Sequence, residues 1–308
     1  MCSLCPKQFE NDTLRIKYGF LLTAYTCLYL NFYFSMDDVM KKLKETVQYI
    51  QKIYAPKPQV GVVLGSGLGK IKDEIRIEKE IHYEDIPNFP VVTVEGHHGK
   101  LVFGMVAGKR IVAMAGRFHY YEGYSAQEVV FPIRVMKLLG IETLLISNAA
   151  GGVDPSLQVG DLMIITDHIS IDTHNPLIGK NIDELGPRFP DMSEPYKKKL
   201  IEKVKQIVFR LNITVKEGIY FGVTGPTFET RSEYKMIHVL GGDAVGMSTV
   251  QEVIAANHMN LPVFAMSVIT DVGIREEQNT ITHDDVLEAA IDAGPGLSTI
   301  FRELIAEL

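Results

Sequence analysis

Apolar and polar positions along the 308 residues switch repeatedly between the period of a helix and that of a buried strand. Behind Met36-Asp37-Asp38, whose acids suit a first helical turn, Val39, Leu43, Val47 and Ile50 recur at helical spacing. At Gln59 the pattern changes to an unbroken apolar run ending at Leu64, as expected of a strand buried on both faces of a parallel sheet. Val91–Val94 reads as a further strand, and 100–106 with 110–115 as a hairpin about Ala107-Gly108-Lys109. Thr143–Ser147, Asp161–Asp167, Glu217–Val223 and Pro262–Thr270 are short apolar runs of strand length. Helical patterns lie between them: Ser125–Leu139 with a kink expected at Pro132, Pro195–Leu211, a helix from about Arg231, Val250–His258, and Asp284–Leu308. Strands alternating with helices predict one α/β domain over 36–308. Residues 168–192, with Pro176, Pro187 and Pro190, are too long for a plain connection and read as functional or interfacial.

Residues 1–35 depart from this pattern. Gly19–Phe34 is mostly apolar and aromatic, but it is shorter than a membrane helix and is broken by Thr23, Thr26 and Asn31. Asn31-Phe32-Tyr33-Phe34 lacks the small residues of a signal cleavage site. The stretch is therefore expected to be an extension outside the fold. Cys2, Cys5 and Cys27 all fall within it, so no disulfide framework holds the domain, which fits a cytoplasmic protein. A net charge of −7 with mixed signs along the chain argues against a nucleic-acid or membrane-surface partner.

The candidate chemistry gathers where strands end, which is where open α/β sheets collect ligands. Gly65-Ser66-Gly67-Leu68-Gly69 offers backbone N–H groups and one hydroxyl to an anion; a plain tight turn is the alternative. Gly116-Arg117-Phe118-His119-Tyr120-Tyr121-Glu122 brings a planar guanidinium, an imidazole and a phenol to one strand end. The alternative there is a structural Arg117–Glu122 pair. Asn148-Ala149-Ala150-Gly151-Gly152 would let a ligand approach the backbone. In Thr224-Gly225-Pro226-Thr227-Phe228-Glu229-Thr230, Phe228 suits stacking on a flat ring and Glu229 suits two N–H donors on its edge. Glu229 would equally complement the dipole of the following helix. Ser248 is an N-cap, an anion ligand, or both. There is no G-x-S-x-G, no H-E-x-x-H and no cysteine outside the first 27 residues, so neither a familiar nucleophile nor a metal site is expected. The residues point to a phosphate and a flat heterocycle.

These five motifs, completed by Gly246-Met247-Ser248-Thr249-Val250, stand in the order found in the trimeric purine nucleoside phosphorylases, which the chain resembles from about Met36 to its end. The resemblance implies a three-layer α/β/α sandwich with a mixed central sheet. It also implies a homotrimer that converts purine nucleoside and phosphate to free base and ribose 1-phosphate, with no cofactor beyond phosphate as co-substrate. By the family pattern Ser66, His97, Arg117, His119, Ala149 and Ser248 hold phosphate, and Tyr121, Met247 and His283 hold ribose. Phe228, Glu229 and Asp271 hold the base, with His119 and Asp271 the expected catalytic groups. Two positions depart from the pattern: Asp271 replaces the usual asparagine, and Leu185 stands where animal relatives place a phenylalanine that reaches the neighbouring subunit. Three other readings compete with this one. A methylthioadenosine phosphorylase would share the fold, but Glu229 and His283 suit it poorly. A binding protein without turnover has no need of Arg117, His119 and Ser248 together. A dinucleotide-dependent oxidoreductase would want G-x-G-x-x-G, where this chain has G-x-G-x-G.

Overall fold

The computed structural model describes residues 39–91, 93, 99–273 and 282–308. Helix α1 covers 39–53, and its apolar stripe is buried through Leu43, Val47 and Ile50. The strands are β1 Val60–Leu64, β2 Arg76–His82, β3 Lys100–Val106, β4 Lys109–Ala115, β5 Thr143–Gly152, β6 Leu162–Ile169, β7 Lys216–Gly222, β8 Ala244–Gly246 and β9 Val263–Val272. The later helices are α2 Ala126–Val129, α3 Phe131–Leu139, α4 Lys198–Leu211, α5 Arg231–Val239, α6 Val250–His258 and α7 His283–Ala306.

All nine strands join one mixed sheet in the order β2-β3-β4-β1-β5-β8-β7-β6-β9. β9 also pairs in parallel with β5, so β5, β8, β7, β6 and β9 close on themselves, while β1 to β4 extend from β5 as an open wing. The apolar runs of β1 and β9 are buried along their whole length because they have neighbours on both sides. Helices α2, α3 and α6 pack together in one group and α4 against α7 in another.

Sequence expectations and structure differ in informative places. The helix expected over Ser125–Leu139 is two helices meeting at Val130. Pro132, which has no N–H to give, falls in the first turn of α3, where none is needed. β5 continues through Asn148-Ala149-Ala150-Gly151-Gly152 rather than stopping at Ser147, and β9 continues through Asp271. The register explains both, since Gly151 lies opposite Asp271 across β5–β9. β2 was not foreseen: Arg-Ile-Glu-Lys-Glu-Ile-His carries the charges of a solvent-facing sheet edge and buries little but Ile81. α4 begins at Lys198, three residues later than expected. In the stretch read as a strand over Val91–Val94, Val91 and Thr93 lie in no strand, and Val92 and Val94 fall outside the described residues, as do residues 1–35. No helix among the described residues is long and apolar enough to cross a membrane.

Leu185 is only 6% exposed and belongs to the chain's own core, whereas Phe189, four residues on, is 86% exposed. Leu185 is thus unable to play the outward-reaching part considered for that position. The exposed aromatic ring of this loop is Phe189.

Candidate active site

The carboxyl ends of β1, β4, β5, β8 and β9 meet around one cavity. It is lined by Ser66, Arg117, His119, Tyr121, Ala149, Phe228, Glu229, Met247, Ser248, Asp271 and His283, together with Ala150, Gly151, Val245, Gly246, Thr270 and Val286. Eleven of the twelve residues singled out from the sequence therefore share one wall; His97 lies outside the described residues. The glycine loop fits close against β5: a Cβ on Gly65 would sit 2.9 Å from the Asn148 Cα and from the Ser147 carbonyl oxygen. Any side chain there would push Ser66 away from the cavity. Ser147 Oγ fixes the approach, accepting from the Gly65 N–H at 3.2 Å and donating to the Val63 carbonyl at 3.1 Å.

One end of the cavity gathers donors suited to an anion. The buried Arg117 donates from Nε to Glu252 Oε1 at 3.1 Å, and its Nη2 lies 3.1 Å from Glu252 Oε2. Nη1 donates to the Ser147 carbonyl at 2.9 Å and to Ser248 Oγ at 3.2 Å. Glu252, not Glu122, is therefore the carboxylate that holds Arg117. Glu122 instead orients His119, accepting its backbone N–H at 2.8 Å and facing Nδ1 at 3.0 Å through the same Oε1. Burial works against a Glu122 charge, but hydrogen bonds from His119 and Thr93 outweigh it and bring its pKa to about 2. Glu122 is thus an acceptor at neutral pH, so the His119 proton sits on Nδ1 and the ring's acceptor is Nε2. Burial holds the His119 pKa below its ordinary value, leaving the ring neutral at pH 7, and Tyr121 stacks on it at 4.7 Å.

The start of α6 completes this end. Thr249, not Ser248, is its N-cap residue, and it makes no side-chain cap bond. Its φ of 69° with ψ of −54° is a costly conformation for a β-branched residue. The hydroxyl is held by Asn148 Nδ2 at 2.9 Å and Ser248 Oγ at 3.1 Å, which leaves Ser248 at the cavity wall beside a positive helix end.

The other end carries Phe228, Glu229 and Asp271. The helix-start role is taken by Thr230 and Glu233, which cap α5 reciprocally, so Glu229 is left to the cavity. Burial raises the Glu229 pKa, and the charges of Asp271 and Glu233 add to the rise. Asp271 Oδ1 accepts from Thr270 Oγ1 at 3.2 Å and Oδ2 from the Tyr234 hydroxyl at 3.0 Å. Tyr234 also interacts with Glu229, so one phenol, with its proton directed to Asp271, stands beside both carboxylates. Its ring lies against Gly273, where a Cβ would come within 2.1 Å of it.

Sequence reasoning missed Glu252 and Tyr234. The available signal for Glu252 was that it is the one carboxylate in the Val250–His258 helix; Tyr234 had none. Among the described residues no group of three His, Cys, Asp or Glu side chains is placed to hold a metal.

A buried guanidinium beside a hydroxyl at one end and two carboxylates beside an aromatic ring at the other are groups suited to an oxyanion and a flat heterocycle. Comparison with known proteins points the same way: the phosphorylase superfamily profile matches residues 59–306. Purine nucleoside phosphorylase 1 of Geobacillus stearothermophilus is 51% identical over 246 residues, 80% of this chain and 90% of that one. The purine nucleoside phosphorylase of Bos taurus is 43% identical over 272 residues, covering 86% and 94%. A crystal structure of isoform 2 of the Schistosoma mansoni enzyme, in complex with cytosine and ribose-1-phosphate, superposes with a TM-score of 0.83 at 44% identity, covering 87% of this chain and 96% of that one. A second S. mansoni structure, in complex with adenosine, gives 0.83 at 39%, covering 87% and 97%. The chain belongs to the purine nucleoside phosphorylases.

Proposed function

We propose that the enzyme splits inosine, guanosine and their deoxy forms with phosphate, giving free purine and (deoxy)ribose 1-phosphate, without a metal or a covalent enzyme intermediate. The observation that carries this reading is the single cavity joining the Arg117–Ser248 end to the Glu229–Asp271 end. Phosphate is held by Ser66, Arg117, His119, the Ala149 N–H and Ser248, and His119 Nε2 accepts the remaining phosphate proton. Tyr121, Met247 and His283 hold the ribose. Phe228 stacks on the purine, and Glu229 accepts from the ring N–H and, in guanine, the amino group. As the C1′–N9 bond breaks, its electron pair moves onto the purine and a phosphate oxygen closes on the cationic C1′. The bound phosphate stabilises the sugar cation, and donors around the base stabilise the leaving purine. Asp271 in its protonated form supplies one such donor to the imidazole side of the purine. A homotrimer in the cytoplasm is the setting we infer, with salvage and catabolic roles equally compatible; a monomer by light scattering at assay concentration would overturn the assembly.

The direct test follows hypoxanthine release from inosine with and without phosphate. Release with phosphate, accompanied by ribose 1-phosphate, is expected. Release without phosphate would make the protein a hydrolase, and binding with no product would make it a nucleoside-binding protein.

Two further results are expected. Glu229 must be ionised to accept from the base, and its pKa is raised. The KM for inosine should therefore rise as pH falls, starting above the usual carboxylate range of about 4.3. Glu229→Gln should remove this acidic limb, and an unchanged profile would count against the role. Tyr234→Phe leaves the fold's packing but removes the phenol's hydrogen bond to Asp271 and its polar contact with Glu229. It should lower kcat/KM for inosine by about tenfold, the weight of one hydrogen bond to a charged group, while leaving the KM for phosphate unchanged. Equal effects on both substrates would mean that Tyr234 acts on the structure at large.

A further inference from the structure

A second cavity, of about 280 Å³, lies between α1, the first turn of α2, α3, the loop 176–182 and the end of α6, and shares no lining residue with the active site. Its wall carries Arg134, from the fourth position of α3 and only 4% exposed. Among the described residues no carboxylate lies within ion-pair distance of this guanidinium, and its buried Nε–H has no hydrogen-bond partner. Burial draws its pKa down to about 10, so it remains charged at neutral pH. A buried guanidinium with no counter-charge is strongly unfavourable, and nothing in the active site requires one here.

His258, the last residue of α6 and 3% exposed, lines the same cavity. Its Nε2 lies 3.2 Å from Asn181 Oδ1. The Asn181 amide is oriented by two bonds from Nδ2, to Asp183 Oδ1 at 2.7 Å and to the Gly186 carbonyl at 2.8 Å, so Oδ1 accepts and His258 Nε2 donates. Nδ1 is therefore a lone-pair acceptor, and it too is buried without a partner. The cavity thus presents an unanswered cationic donor and an unanswered neutral acceptor. Gln127 Nε2 ties the loop across it by donating to the Ile178 carbonyl at 3.1 Å.

We propose that this cavity is a second phosphate site, with the phosphate oxygens on the Arg134 guanidinium and a phosphate O–H donating to His258 Nδ1. Hydrogen phosphate meets both needs at once, because it carries negative oxygens for a planar donor fork and a proton for the imidazole. An ionised carboxylate offers only acceptors and leaves Nδ1 unanswered. A single water occupies about 30 Å³ and does not neutralise the charge. The inference stands apart from the catalytic reading, since the two cavities have no residue in common.

Equilibrium dialysis of the full chain against radiolabelled inorganic phosphate tests it. Two phosphates per chain are expected at millimolar concentration for the unaltered protein and one for Arg134→Met, with kcat and KM for inosine within twofold of each other. Arg134→Lys, which keeps the charge but not the fork, should retain the second phosphate at lower affinity. Unlabelled ribose 1-phosphate displacing the second label would extend the site to phosphate monoesters, and failure to displace would restrict it to free phosphate; the site stands in both cases. Thermal unfolding in phosphate-free buffer guards against a folding defect: Arg134→Met should melt no lower than the unaltered protein, because it removes an uncompensated charge. One phosphate per chain in both proteins, or a lower melting temperature of Arg134→Met without phosphate, would overturn the proposal. Arg134 would then be neutralised by residues 1–38 or by a second copy of the chain.

Discussion

Replacing Arg117 by methionine is expected to cut kcat/KM for phosphate by about 10³, or about 4 kcal/mol, the effect of removing a preorganised donor from a water-poor site. The same change leaves the buried Glu252 carboxylate without its guanidinium, and breaking such a pair from one side costs about 3–5 kcal/mol of stability. Two functions are thus joined in one residue, and a double substitution separates them. Arg117→Met with Glu252→Leu removes both charges and should recover most of the lost stability while recovering no activity. Denaturant unfolding read beside steady-state kinetics on the single and the double variant would decide. If Arg117→Met kept its phosphate KM within about threefold of the unaltered enzyme, the anion seat would have to lie elsewhere.

Asp271→Asn is expected to shift the purine preference. A carboxylate at this edge of the base accepts from a 6-amino group when ionised, and donates to the imidazole side of a 6-oxopurine only when protonated. The adenosine-to-inosine ratio of kcat/KM should therefore fall by about tenfold or more in the asparagine variant, the worth of about 1.5–3 kcal/mol carried by one charge-assisted hydrogen bond. The inosine rate should also lose its alkaline limb. Activity that needs a protonated Asp271 declines as pH rises through the pKa of the bound state, whereas an amide has no proton to lose. Glu229 sharpens the effect, because its raised pKa already reflects the neighbouring Asp271 charge. If both the ratio and the pH profile of Asp271→Asn matched those of the unaltered enzyme, Asp271 would have no part in base recognition.

Much of the site could be read from the chain because its residues sit where strands end, and strand ends are local features. An apolar run followed by Gly-Ser-Gly, or by Arg-Phe-His, announces its own termination, and a parallel sheet then brings such ends to one side. That is why Ser66, Arg117, Ala149 and Asp271, on or after the mutually parallel strands β1, β4, β5 and β9, share one cavity, while Ser248 reaches it from β8, which runs antiparallel to β5. The ends of β5 and β9 were read short for a related reason: small or polar residues look like loop until a neighbouring strand supplies their hydrogen bonds.

The sequence by itself determined the alternation of strands and helices, the motifs at the strand ends and the residue types offered to a ligand, because each depends on periodicity or backbone freedom within a few positions. Only the tertiary structure decided the partnerships. Arg117 finds Glu252 across 135 positions and leaves Glu122 to His119, Tyr234 reaches Asp271 across 37, and Leu185 turns into its own core while Phe189 faces out. The Arg117–Glu252 and Tyr234–Asp271 pairings accompany the closure of β5, β8, β7, β6 and β9, with α6 supplying Glu252 and α5 supplying Tyr234 to the strand ends. No local period encodes that closure, so charges that were interchangeable in the sequence acquired separate roles once the sheet had closed.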